Sequence, residues 1–137
     1  ADHVSDKVSY VDVIRSRHLL EHLSFDKAEL ALADWRKALR PGGVVFIIVP
    51  NMDFHCKQWL SATVSKEEWE RPESNIRHSS AGFWGWQREA NSSEWDFHRA
   101  GYNKALLRFF MENAGFTHVK TMVIGERHLA GYGVKSK

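Results

Sequence analysis

The sequence predicts an α/β domain with a mixed sheet of about four strands and flanking helices, and three observations carry that prediction. Residues 8–50 read as strand, polar turn, amphipathic helix and second strand, which is a βαβ unit. Val44 to Val49 are six apolar residues in a row, the pattern of a parallel strand covered on both faces. A second amphipathic helix from Asn103 leads into two further strand-like stretches, 117–124 and 128–134, which read as a hairpin across Gly125-Glu126-Arg127.

Each element has its own signal. Residues 8–14 are rich in β-branched side chains and carry no breaker, so they predict the first strand. Residues 17–23 read as a turn or short helix. Asp26 is the expected cap of the next helix, with Glu29 closing a capping box and Phe25 and Leu30 forming a hydrophobic staple. Ala28, Ala31, Leu32, Trp35, Ala38 and Leu39 recur at helical spacing and define its apolar face, and Arg40-Pro41-Gly42 ends it. After the strand at 44–49 the pattern weakens. A short helix is expected around 54–60, and another from Ser65, with Glu68 three residues on, stopping before Pro72. Residues 73–101 are polar, contain Gly and Ser, and hold Trp84, Trp86 and Trp95. Leu106, Leu107, Phe109, Phe110 and Ala114 then give the last helix its apolar face, and Gly115 ends it. Residues 1–137 are expected to form a single domain, with 52–102 as a Trp-rich lid or insertion.

Composition removes several classes of function. An apolar fraction of 43% with 26% charged residues is that of an ordinary globular chain. A net charge of +2 gives no field for nucleic acid, and Arg36, Lys37 and Arg40 cluster at a helix end, where cations suit the dipole. No stretch approaches the ~20 apolar residues of a membrane span, so no membrane partner is expected. The single cysteine, Cys56, forbids an internal disulfide and fits a reducing, cytoplasmic setting, where it reads as a small apolar side chain rather than a nucleophile.

Taken together, "DVIRSRHLLEHLS", "LRPGGVVFIIVPN" and the later "WDFHRAGYNKALLRFFMENAGF" resemble the carboxyl half of a class I S-adenosylmethionine-dependent methyltransferase. The resemblance is to members with a His-x-Leu-Glu-His-Leu signature and a Leu-Arg-Pro-Gly-Gly turn, and it covers roughly residues 10–125. It implies a partial Rossmann-like fold whose remaining strands lie in the order 4-5-7-6. The family's glycine-rich loop, which lets the backbone approach the cofactor closely, has no counterpart in this sequence. The strand at 8–14 would pair in the family with a strand of the other half. Its outer edge is therefore expected to be bare, with only Asp12 as a charge, and to join two copies into a homodimer.

The resemblance also implies a site. Ser16, Arg17 and His18 would lie at a strand tip facing the cofactor S-adenosylmethionine, and Asp2 would lie near its adenine. His98 and Asp96 would be the catalytic pair on the acceptor side, since a histidine beside a carboxylate can act as a base near neutral pH. Trp84, Trp86 and His22 would line the substrate mouth, where flat indoles can stack on a small-molecule or sugar-like acceptor. The bland readings are a lid core for the tryptophans, loop hydrogen bonding for Glu21 and His22, and a surface loop for His98. His18-x-x-Glu21-His22 formally matches an inverted zinc-protease signature. The chain is too small for that enzyme and shows no partner helix with a further acidic ligand, so no metal is expected. The alternative function is a non-catalytic, dimerising binding or scaffold module built from a truncated methyltransferase fold. A further expectation is that the chain is a piece of a longer enzyme.

Overall fold

The computed structural model describes residues 4–6, 10–87 and 94–137. The elements run β1 (Val11–Arg17), α1 (Phe25–Ala38), β2 (Leu39–Pro50), α2 (Met52–Ser61), α3 (Lys66–Glu70), α4 (Asn75–Trp84), α5 (Lys104–Asn113), β3 (Thr117–Ile124) and β4 (His128–Val134).

The strands form one four-stranded sheet in the order β1-β2-β4-β3. β1 runs parallel to β2, with Ile14 opposite Val45 and Arg17 opposite Ile48. β4 is antiparallel to both β2 and β3. This is the mixed sheet expected from the sequence, with the 4-5-7-6 arrangement that the resemblance implies.

The core lies on one face of the sheet. Ala28, Leu32 and Trp35 of α1, with Leu107 and Met111 of α5, pack on Val45, Ile47, Val49 and Leu129. Gly131 and Gly133 of β4 let α5 sit close: a Cβ at Gly131 would meet Met111 Sδ at 2.7 Å. The opposite face departs from expectation. The run Val44–Val49 reads as a strand covered on both sides, yet among the described residues no helix lies on the second face. Val13, Phe46, Met122 and Ile124 are exposed there. The reason is that α1 and α5 share the same face and touch each other, as Phe25 and Phe110 show with ring centroids 5.7 Å apart.

Four further differences are local. The first strand begins at Val11, later than the expected 8, and runs on to Arg17. Helix α1 is capped by Ser24, whose side chain accepts the Lys27 N–H, so Phe25 and Asp26 lie inside the first turn. The Pro-Gly-Gly segment is not a separate turn. It bulges within β2 between Leu39, opposite Val11, and Val44, opposite Val13, with Gly42 at φ +85°. The poorly patterned 73–101 stretch holds a full helix, α4, capped by Ser74.

Candidate active site

The carboxyl ends of β1 and β2 open into a cleft of about 580 Å³, lined by His18, Glu21, His22, His55, His78, Trp86, Asp96, His98, Arg127 and His128 among others. Six of the chain's eight histidines are in this set.

β1 ends abruptly. His18 adopts φ +55°, a left-handed conformation uncommon outside glycine but one that histidine takes up more readily than most side chains, while its N–H still bonds Ile48 O at 2.9 Å. That turn lifts the imidazole off the sheet and against His128, with ring centroids 5.1 Å apart. His128 reaches this place because the antiparallel register sets it opposite Pro50, the last residue of β2. Burial lowers the pKa of both rings, helped for His18 by the charges of His128 and Arg17.

The single turn Leu20–His22 comes next and buries Glu21 at 2% exposure. The Glu21 carbonyl accepts the Arg99 and Ala100 N–H groups, which ties this turn to the segment after the Trp-rich stretch. Its carboxylate points at imidazoles: Oε2 lies 3.5 Å from His18 Nδ1 and 3.9 Å from His22 Nε2. Oε1 has no hydrogen-bond partner among the described residues. Burial raises the Glu21 pKa to about 7, with its own backbone hydrogen bond pulling the other way.

His22 and His98 meet edge to face at 4.9 Å. His98 Nδ1 lies 2.8 Å from Gly82 O, and His22 Nδ1 lies 3.1 Å from Phe97 O. A carbonyl only accepts, so each Nδ1 carries a proton, and in the neutral ring Nε2 keeps its lone pair. Burial lowers the His98 pKa, partly offset by the Gly82 bond. At neutral pH this ring is therefore uncharged.

The wall opposite is built by α2 and α4. Gln58 Oε1 faces His55 Nδ1 at 3.3 Å and His78 Nδ1 at 3.0 Å, and its amide donates to Asn75 Oδ1. The two imidazoles lie 5.1 Å apart. Burial drives the His55 pKa down to about 4.

The structure thus brings His18, His22, Trp86, Asp96 and His98 of the sequence-derived set into one cleft. Ser16 is buried just before it, its Oγ with no hydrogen-bond partner among the described residues, and Arg17 projects along the open sheet face. Trp84 faces away, against Trp59 at 5.4 Å, in a separate hollow with Trp69 and Arg77. Asp2 lies outside the described residues. Sequence reasoning missed His55, His78, Arg127 and His128. The last two were within reach, because a hairpin across 125–127 together with the implied strand order 4-5-7-6 puts the start of the last strand beside the end of β2.

Among the described residues, Glu21, His22 and His98 also offer three metal-type ligand atoms within 4.8 Å of one another.

A strand–turn–helix unit whose cleft opens beyond the carboxyl ends of parallel strands defines the Rossmann-like class of nucleotide-cofactor folds. The comparisons narrow it. The methyltransferase-domain profile matches residues 1–121, and the chain belongs to that family. Human N-acetylserotonin methyltransferase, solved with S-adenosylmethionine, superposes with a TM-score of 0.60 at 12% identity, covering 95% of this chain and 31% of that one. A 1,6-didemethyltoxoflavin-N1-methyltransferase from Burkholderia thailandensis, with its substrate and S-adenosylhomocysteine bound, gives 0.56 at 14%, covering 95% and 46%. An O-methyltransferase family protein from Burkholderia thailandensis gives 0.59 at 15%, covering 100% and 34%. At these identities the likeness is one of fold, and the chain spans a third to a half of the proteins it matches. No curated protein sequence matches it significantly. No helix among the described residues is long and apolar enough to cross a membrane.

Proposed function

We propose that the cleft serves S-adenosylmethionine-dependent methyl transfer to a small-molecule acceptor. The observation that carries this is the position of the histidine cleft, beyond the carboxyl ends of β1 and β2, in a chain of the methyltransferase-domain family. The residues present fit one end of the cofactor. A sulfonium is a cation, and the cleft offers the carboxylates of Glu21 and Asp96, while Arg127 is the one permanent cation among its described lining residues. The main-chain glycine cradle that would hold the ribose end has no counterpart in the sequence. When bound, the cofactor supplies an already activated methyl group, so in-line placement of the acceptor carries most of the rate.

In this reading Ser16, Arg17 and His18 are the cofactor-side residues, with Asp2 as a further sequence-derived candidate. Buried Ser16 supports the strand tip, and His18 presents its ring to the ligand. His22 and Trp86 border the acceptor, whereas Trp84, the third sequence-derived candidate, stands in the neighbouring hollow. His98 is pinned through Nδ1, so its Nε2 is the lone pair available to an acceptor proton, with Asp96 beside it on the same loop. Residues 52–102 act as a lid over the cleft. The lone cysteine accords with a cytoplasmic protein.

Calorimetric titration with S-adenosylhomocysteine tests the reading. Saturable heat is expected, weakened several-fold by His18→Ala. Absence of heat at about 1 mM ligand would overturn it.

The open sheet face supports a second reading. Val13, Phe46, Met122 and Ile124 lie exposed beside the unpaired outer edge of β1, a surface suited to association. Two copies pairing along β1 would give a non-catalytic binding or scaffold module. A dimer by light scattering that forms without any affinity for adenosyl ligands would favour it.

A further inference from the structure

Glu21 is 2% exposed, and one of its carboxylate oxygens has no hydrogen-bond partner among the described residues. Buried carboxylate oxygens are seldom left so, because an unpaired one is costly. The other oxygen faces His18 Nδ1 and His22 Nε2, and His98 stacks edge-on against His22. His22 bonds the carbonyl of Phe97, 75 residues on and the neighbour of His98. Both rings donate Nδ1–H to backbone carbonyls, at 3.1 and 2.8 Å, which fixes their tautomers with Nε2 unprotonated. Metal-binding histidines are commonly oriented in this way, by a carbonyl on the far ring nitrogen.

We propose that Glu21, His22 and His98 hold a divalent transition-metal ion at the floor of the cleft. Two imidazoles and one carboxylate suit zinc-like ions rather than magnesium or calcium. Three protein ligands leave the remaining coordination positions open toward the cavity, as in sites that bind a ligand on the metal. The ligand atoms now span up to 4.8 Å. Metal–ligand bonds of about 2.1 Å require them to draw together by roughly an ångström, within reach of side chains on a single turn and a loop. His18, Asp96 and His128 face the ion from the end of β1, the 94–96 turn and the start of β4.

The ion's role, unlike its binding, rests on the methyl-transfer reading. It would hold an acceptor oxygen and ease loss of its proton, making His98 a ligand rather than the base.

The test is a cobalt(II) titration of the chelator-treated, dialysed chain, followed by visible absorption and, with zinc(II), by calorimetry. One equivalent per chain is expected, with a d–d spectrum. Glu21→Gln, His22→Gln and His98→Gln should each weaken binding about tenfold or more. His78→Ala, which breaks up the nearby His55–His78 pair, should leave binding unchanged. Zinc should raise the melting temperature of the parent chain and not that of His98→Gln, which keeps the result readable if one variant folds poorly. No spectrum and no heat at about 100 μM metal, or binding that survives His98→Gln and fails in His78→Ala, overturns the site. The S-adenosylhomocysteine titration reads separately. Metal binding without nucleoside binding keeps the ion and removes its proposed role.

Discussion

The sheet with α1 and α5 and the helical stretch α2–α4 are built by different physics. In the first, Leu32, Leu39, Val45, Ile47, Leu107 and Leu129 are completely buried and nearly every inward position is apolar. In the second, most inward positions are polar, His55, Gln58, Ser74 and Ser79 beside Ile76 and Ala81, while Leu60, Val64, Trp69 and Trp84 are exposed. The sheet side is held by burial. The helical side is held by a hydrogen-bonded imidazole–amide chain and by ring edges such as Trp59 on Phe83 at 5.7 Å. A polar interior is only as stable as its protonation state and its partners. The cleft lies between the two, so its rigid wall comes from the sheet and its responsive wall from the helices.

The largest test acts on the apolar side. Leu32→Ala removes a fully buried side chain between α1 and the sheet and should cost about 2–5 kcal/mol, read as a lowered urea midpoint. Trp84→Ala removes a larger side chain that is 51% exposed and should cost markedly less. Equal losses would erase the distinction between the regions.

The next test uses pH. His55 is held by burial at a pKa of about 4, against 6.5 when free, and its surroundings include His78 on α4, His98, Arg127 and the Gln58 amide. The unfolded chain takes up this proton first as pH falls. Stability is therefore full above pH 6.5 and is lost progressively toward pH 4, by up to about 3 kcal/mol for this group. His55→Gln should remove that part of the slope. Unfolding curves of the two proteins at pH 7, 5.5 and 4 should converge as pH drops.

The same division explains what the sequence could disclose. β2, β3, β4 and α5 follow from periodicity because their inward residues are apolar, and the hydrophobic pattern is the code for that layer. The end of Val44–Val49 and the polar cluster around His18 were readable for the same reason. α4 was not, since its buried face is Ile76, Ser79, Ala81 and Gly82, a single large apolar side chain that makes no stripe, beside a serine and a glycine that are weak helix formers. His55 and His78 belong to a polar interior that no periodicity reports. The exposure of Phe46 was also hidden: a six-residue apolar run states that a strand is sticky on both faces, not which face this chain covers.

Gly82→Ala probes the contact between α4 and the cleft. An added Cβ would lie within 2.6 Å of His55 ring atoms, and the Gly82 carbonyl is the acceptor for His98 Nδ1. Overpacking of this kind costs about 1–3 kcal/mol. More tellingly, it should displace both rings at once, shifting their proton NMR signals while those of His118, on β3, stay in place. A change confined to His55 would show that α4 does not position His98.

The smallest expected effect decides whether the two regions unfold together. Ser74 caps α4 by accepting the Arg77 N–H at 3.2 Å, and its hydroxyl donates to the Glu68 carbonyl, joining α3 to α4. Ser74→Ala leaves both partners unsatisfied and should cost about 1 kcal/mol. Trp59, Trp69, Trp84 and Trp86 all report on the helical side, whereas most of the strand signal comes from the sheet. If burial and polar bonding form one cooperative unit, tryptophan fluorescence and far-ultraviolet dichroism will shift by the same amount. If the helical side opens alone, both signals will split into two transitions, dichroism because α2–α4 hold about half of the helical residues and fluorescence because buried Trp35 stays with the sheet. Only the second result would leave the cleft with a wall able to open at a cost below that of unfolding the sheet.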